Sequence, residues 1–123
     1  MRRGKKQNVD LAFIVSIIDA ESYGRNIIGR RNRNGTRDYG IMQVNGVHEP
    51  KNPRKLLNIS YNLQKGVGYI KYCTNKSVKR YGKAEIKTIA RLYNQGANGS
   101  EKRYKNWKYV EKVYNNYKRV KEI

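Results

Sequence analysis

The chain has 123 residues, 37% of them hydrophobic and 30% charged, and its 28 Lys and Arg against 9 Asp and Glu give a formal net charge of +19. That length fits one domain around one core, and the single cysteine, Cys73, excludes an intrachain disulfide. A field of this sign and size implies an anionic partner or surface, and nucleic acid, anionic lipid and anionic envelope polymers all satisfy it.

Residues 1–9, with Arg2, Arg3, Lys5 and Lys6, read as a basic, flexible N-terminal arm. The arm precedes an apolar run at 11–18, and the pair mimics a signal peptide. Eight residues are too few to span a bilayer, and Asn8 and Asp10 interrupt the approach. Asp10 is a good N-cap. Leu11, Ile14, Val15 and Ile18 at helical spacing predict a buried helix from residue 11 to 22 or 23. No signal peptide or membrane span is read here, so an exported form has lost its signal or uses another route.

"GRRNRNGTRDYG", residues 29–40, contains Asn34-Gly35, which predicts a small, half-exposed hairpin closed by a two-residue type I′ turn. "NGVHEPKNP", residues 45–53, reads as a loop punctuated by Gly46, Pro50 and Pro53. A second helix is predicted over 59–72 with Ile59, Leu63, Val67 and Ile70 as its core stripe. A third is predicted over 84–93 on Ile86, Ile89, Ala90 and Tyr93, and "NQGANGS", residues 94–100, breaks it. A fourth is predicted over 104–120, where Trp107, Val110, Tyr114 and Tyr117 share a face. No repeat, low-complexity tract or linker divides the chain. The expected fold is α+β and mostly α: residues 10–123 form one helical domain with a β-hairpin on its flank. Cys73 reads as a small buried hydrophobe. The 11 Tyr and one Trp suit stacking on sugars or bases.

Nine acids are few enough to weigh singly. Glu85, Glu101, Glu111 and Glu122 sit among lysines and read as their solvated partners. Glu49 lies in the Pro-bounded loop, and Asp19 falls on the side of the first helix opposite Glu21. Glu21 continues the apolar face, four residues after Ile17 and seven after Ile14. A carboxyl there is desolvated on one side, which favours its protonated form and suits general-acid cleavage of a glycosidic bond. The alternative is a Glu whose head reaches solvent or an Arg. Asp38, on the hairpin's second strand, is either a second carboxylate across a cleft or a turn-stabilising Asp.

The stretch "ESYGRNIIGRRNRNGTRDYGIMQVN", residues 21–45, resembles the active-site region of the lysozyme superfamily. The Glu-Ser pair, the Asn-Gly-Thr hairpin, Asp-Tyr-Gly and Gly-Ile-Met-Gln occur in that family's order. In animal-type lysozymes the Glu is the general acid and this Asp is the second carboxylate, so the roles would fall on Glu21 and Asp38. By analogy with lysozyme the pKa of Glu21 is expected to be raised. Further on, "LLNISYNLQKGVGYI", "RLYNQG" at 91–96 and "YVEKV" at 109–113 resemble bacterial lytic transglycosylases. The Asn-Gly hairpin resembles the small members that accompany secretion and conjugation machines, and some phage lysins. The resemblance covers residues 10–118. Leu92 departs from the family's usual Ala, and Ile41 from a frequent Leu. Animal-type lysozymes carry several disulfides, which one Cys cannot supply, and this favours the transglycosylase branch.

The resemblance implies cleavage of the bond from N-acetylmuramic acid to N-acetylglucosamine in peptidoglycan glycan strands. Glu21 would act as acid and then as base, and the muramyl 6-hydroxyl would close a 1,6-anhydro ring. In a hydrolysing muramidase water is activated instead, and Asp38 stabilises or attacks. The resemblance also implies that Ser22, Met42, Gln43 and Asn94 line the cleft and bind sugar substituents. Tyr93 would shape its wall, and Tyr109 would orient Glu21 or contact an N-acetyl group. Core packing is the alternative for Met42, Tyr93 and Tyr109. The chemistry needs no cofactor, and His48, the only His, lacks companions for a metal site. A monomer in the bacterial envelope is expected, its charge drawn to anionic envelope polymers. The rival classes are a non-catalytic wall-gripping protein and a basic nucleic-acid-binding module. The latter lacks any recognised motif.

Overall fold

A computed structural model describes residues 9–122. The arm expected at 1–9 lies outside these residues except for Val9, which packs partly buried against the core. Helix α1 runs Leu11–Ser22, and its first turn is closed as expected by Asp10, whose side chain accepts from the Ala12 N–H at 2.9 Å. The buried row is not the one predicted. Leu11 is 71% exposed and Val15 42%, whereas Phe13 and Ile17 are enclosed. Phe13, Ile17 and Glu21 form one i, i+4, i+8 row that runs from the core to the end of the helix.

Strands β1 (Ile28–Arg31), β2 (Arg37–Tyr39) and β3 (Val44–Asn45) make an antiparallel sheet in that order. The predicted hairpin is therefore extended by a third strand. Its turn also differs from expectation. The Gly35 N–H donates to the Asn32 carbonyl at 2.9 Å and the Asn32 N–H to the Thr36 carbonyl, and of the Asn34-Gly35 pair only Gly35 has positive φ, at 88°. This is a three-residue loop with glycine in its left-handed position rather than a type I′ turn.

Helix α2 (Ile59–Tyr81) runs nine residues past its predicted end, to a left-handed Gly82 whose N–H donates to the Val78 carbonyl. Its buried row is Asn62, Gly66, Ile70, Cys73 and Ser77, while Ile59 is exposed. Helices α3 (Ile86–Gln95) and α4 (Trp107–Lys121) follow. The face of α4 turned inward is Tyr109, Val110, Val113 and Asn116. Trp107 instead lies near the surface with its ring edge-on to Tyr104, centroids 4.9 Å apart. The helices share one core with Ile41, Met42 and Val44, so the architecture is mostly α with a small sheet at its flank, as expected.

Asn62 joins helix to sheet. It is fully buried, its Oδ1 accepts from the Met42 N–H at 2.9 Å, and its Nδ2 donates to the carbonyls of Tyr39 and Leu56 at 2.7 and 2.9 Å. Gly40 must be glycine beside it: φ is +82°, and a Cβ would stand 2.3 Å from Asn62 Nδ2. Asn62→Ala removes the side-chain partner of three backbone groups, two of them in buried bonds. The expected loss is about 2–4 kcal/mol of stability, read as a lower urea midpoint at unchanged m-value.

Candidate active site

The C-terminal turn of α1 places Glu21 at the edge of a cleft of about 1060 Å³. Residues from the sheet, from α2 and from the segment after α3 complete its walls. The Tyr109 hydroxyl, brought in by α4, donates to Glu21 Oε2 at 2.7 Å. Burial is the largest influence on this carboxyl and raises its pKa from 4.5 to about 7. The Tyr109 bond opposes that rise, the Asp38 charge adds to it, and Lys112 opposes it. Glu21 is thus half protonated near neutrality, the state in which an acid can give a proton and its conjugate base can take one back.

Asp38 lies on β2 and lines the same cleft. Its Oδ1 accepts from Asn45 Nδ2 at 3.0 Å and from Asn32 Nδ2 at 3.4 Å. Strand pairing sets Asp38 directly opposite Asn45. Neither asparagine stood out in the sequence. The signal was the register that a third strand imposes, and that strand was not foreseen.

The other predicted residues divide into two groups. Gln43, Tyr93 and Asn94 line the cleft. Gln43 is held in a left-handed conformation, φ 52°, by bonds from its Nε2 to the carbonyls of Ile27 and Gly40 at 3.1 and 2.9 Å. Asn94 accepts from the Tyr104 hydroxyl at 2.7 Å. The Tyr93 ring stands on the wall, and its hydroxyl donates to the Met42 carbonyl at 2.7 Å. Ser22 and Met42, by contrast, sit behind the wall. Ser22 is 2% exposed and donates to the Ile41 carbonyl at 2.8 Å, which ties the end of α1 to the segment before β3. Met42 is fully buried against Gly66. The expectation that these two reach a ligand is corrected to a supporting place. Tyr109 is likewise 9% exposed and reaches the cleft through its bond to Glu21.

One whole wall was missed. Tyr61, Gln64, Lys65, Gly68, Tyr69 and Tyr72 of α2 all line the cleft. Their 3- and 4-residue spacing is legible in the sequence, but a polar and aromatic stripe beside an apolar one reads equally as a solvated helix face. Cys73, as expected, is a buried hydrophobe, and burial pushes its thiol up to about 12.

The chain is 27% identical to Protein IpgF of Shigella sonnei over 126 residues, covering 97% of this chain and 78% of that protein. The same figures hold for Protein IpgF of Shigella flexneri. It is 31% identical to a lysozyme of Galleria mellonella over 87 residues, covering 66% of this chain and 72% of the lysozyme. No solved structure matches significantly. Residues 1–116 match the family described as Transglycosylase SLT domain. The match spans nearly the whole chain, and the chain belongs to the Transglycosylase SLT domain family, enzymes that cleave glycosidic bonds of peptidoglycan.

Proposed function

We propose that the protein is a lytic transglycosylase that cuts the bond from N-acetylmuramic acid to N-acetylglucosamine and leaves 1,6-anhydro ends, with Glu21 as its acid and base. The observation that supports this most is the Glu21 carboxyl itself, desolvated and gripped by Tyr109 at the rim of the cleft. In the first step Glu21 protonates the leaving oxygen. The substrate's N-acetyl group shields the cationic carbon, as in the substrate-assisted exceptions to two-carboxylate hydrolysis. The carboxylate then takes the proton of the muramyl 6-hydroxyl as that oxygen closes the ring. Atoms balance without water, and Glu21 ends as it began. Gln43 and Asn94 offer amide groups to sugar substituents, and Tyr93 gives the wall its shape. Mass spectrometry of digested cell-wall sacculi tests the reading. Anhydro products support it, and products one water heavier refute it.

Asp38 favours one second reading, a hydrolysing muramidase. It shares the cleft with Glu21 and is near enough to raise its pKa. In that case water replaces the 6-hydroxyl, and Asp38 stabilises the intermediate or attacks it. In either reading the protein works in the cell envelope, and its +19 charge holds it near anionic polymers there. Among the described residues no helix is long and apolar enough to cross a membrane.

Tyr109 acts as a positioning residue. Its hydroxyl stabilises the ionised form of Glu21, so Tyr109→Phe moves the alkaline limb of the pH–rate profile upward. Turnover at pH 6 falls by about tenfold or less, because the proton donor itself is intact. A profile that keeps its shape while the rate drops assigns Tyr109 to packing alone.

A further inference from the structure

Helix α2 contains two glycines, Gly66 and Gly68, where alanine would hold a helix better. Gly66 is explained by the protein's own packing: a Cβ there would stand 2.4 Å from Met42 Sδ. Gly68 is not. Its φ lies outside the left-handed region, it sits mid-helix, it is exposed, and a Cβ added to it meets nothing within 4 Å. Neither backbone conformation, capping nor core packing requires a glycine there. Yet Gly68 lies on the cleft wall, beside Tyr69 and Tyr72.

Those two rings are stacked, with centroids 6.1 Å apart and planes 26° from parallel. Tyr69 is fixed on both sides. Its ring packs against Tyr93 at 5.6 Å, and its hydroxyl accepts from the Ala97 N–H at 2.9 Å. A rigid aromatic surface next to bare helix backbone suits the broad C–H face of a pyranose, which gains by dispersion on the ring and needs close approach beside it.

We propose that Gly68 is a specificity-determining position, where a sugar of the bound glycan strand rests directly against the backbone of α2. The assignment builds on the peptidoglycan-cleaving function proposed above. The missing side chain is then a ligand contact, kept at the expense of helix stability. Any side chain at 68 would occupy the space of the sugar.

The test compares wild type, Gly68→Ala and Gly68→Gln on soluble uncrosslinked glycan strands, with thermal unfolding followed in parallel. Both replacements are good helix formers, so the melting temperature is expected to rise by roughly 3–5 °C for Ala. KM is expected to rise roughly tenfold for Ala and further for Gln, with kcat within about twofold. A higher melting temperature with KM unchanged overturns the proposal. So does a lower melting temperature, since the chain would then need this glycine for itself. A wild-type protein that neither binds nor cuts the strands defeats the functional reading as well, whereas a wild type that cuts them no better than Gly68→Gln defeats this inference alone.

Discussion

Glu21→Gln is expected to lower the release of soluble fragments from sacculi by a factor of about 10³ or more. Gln has nearly the shape of Glu and can still accept a hydrogen bond from Tyr109, so the cleft keeps its form. What it lacks is a proton to give and a base to take one back. Positioned acid–base catalysis supplies about 10²–10⁴ in rate, and here one group serves two successive steps. Asp38→Asn separates the two chemistries. Under transglycosylation Asp38 touches no reacting atom, and its replacement also removes a charge that raises the Glu21 pKa. The loss is then about tenfold or less, and the alkaline limb moves down in pH. Under hydrolysis Asp38→Asn costs nearly as much as Glu21→Gln. A Glu21→Gln protein that retains a tenth of wild-type activity would place the acid elsewhere.

Local chemistry marks most of the helix ends in the sequence, the end of α2 at Gly82 excepted. Asp10 opens α1, Asn58 caps α2 by accepting from the Tyr61 N–H, and Gly96 ends α3. Which face each helix buries was less legible. On α1 the predicted row is displaced by one residue from the true one. Almost every position from 11 to 18 is apolar, so periodicity is blurred there. On α2 the buried row includes Asn62, Gly66, Cys73 and Ser77. A hydrophobic stripe cannot reveal residues buried for hydrogen bonds or close approach, and beyond residue 72 the buried row continues only through Cys73 and Ser77, too sparse a stripe to extend the predicted helix. Spacing alone leaves Glu21 open between a desolvated acid and a solvent-reaching Glu, and the family resemblance gives it the acid role; Ile17 below it is on the true buried row. Ser22 and Met42 were misplaced for another reason. A motif groups residues that face a cleft with those that brace it from behind, and only the three-dimensional path separates them. The asparagines on Asp38 depend on β-strand register, which no local signal in the hairpin specifies.

The burial that makes Glu21 useful should also make the protein less stable than it could be, in a strictly pH-dependent way. In the unfolded chain this carboxyl ionises around 4.5, and in the folded protein around 7. Below 4.5 both states hold the proton, and Glu21 costs nothing. Between the two values the unfolded chain has released its proton while the folded one retains it, so each rise in pH favours unfolding. Above 7 both are ionised and the full penalty, on the order of 3 kcal/mol, is in force. Gln at this position never ionises and escapes the penalty. Glu21→Gln is therefore expected to match wild type in melting temperature near pH 4 and to exceed it near pH 8 by roughly 10 °C. The same substitution that removes activity would then stabilise the fold, as expected where a site holds a group in an environment chosen for chemistry rather than stability. Equal stability of the two proteins at both pH values would mean that water reaches Glu21 freely in the folded state. Its pKa would then be ordinary, and the proton it needs at neutral pH would be absent.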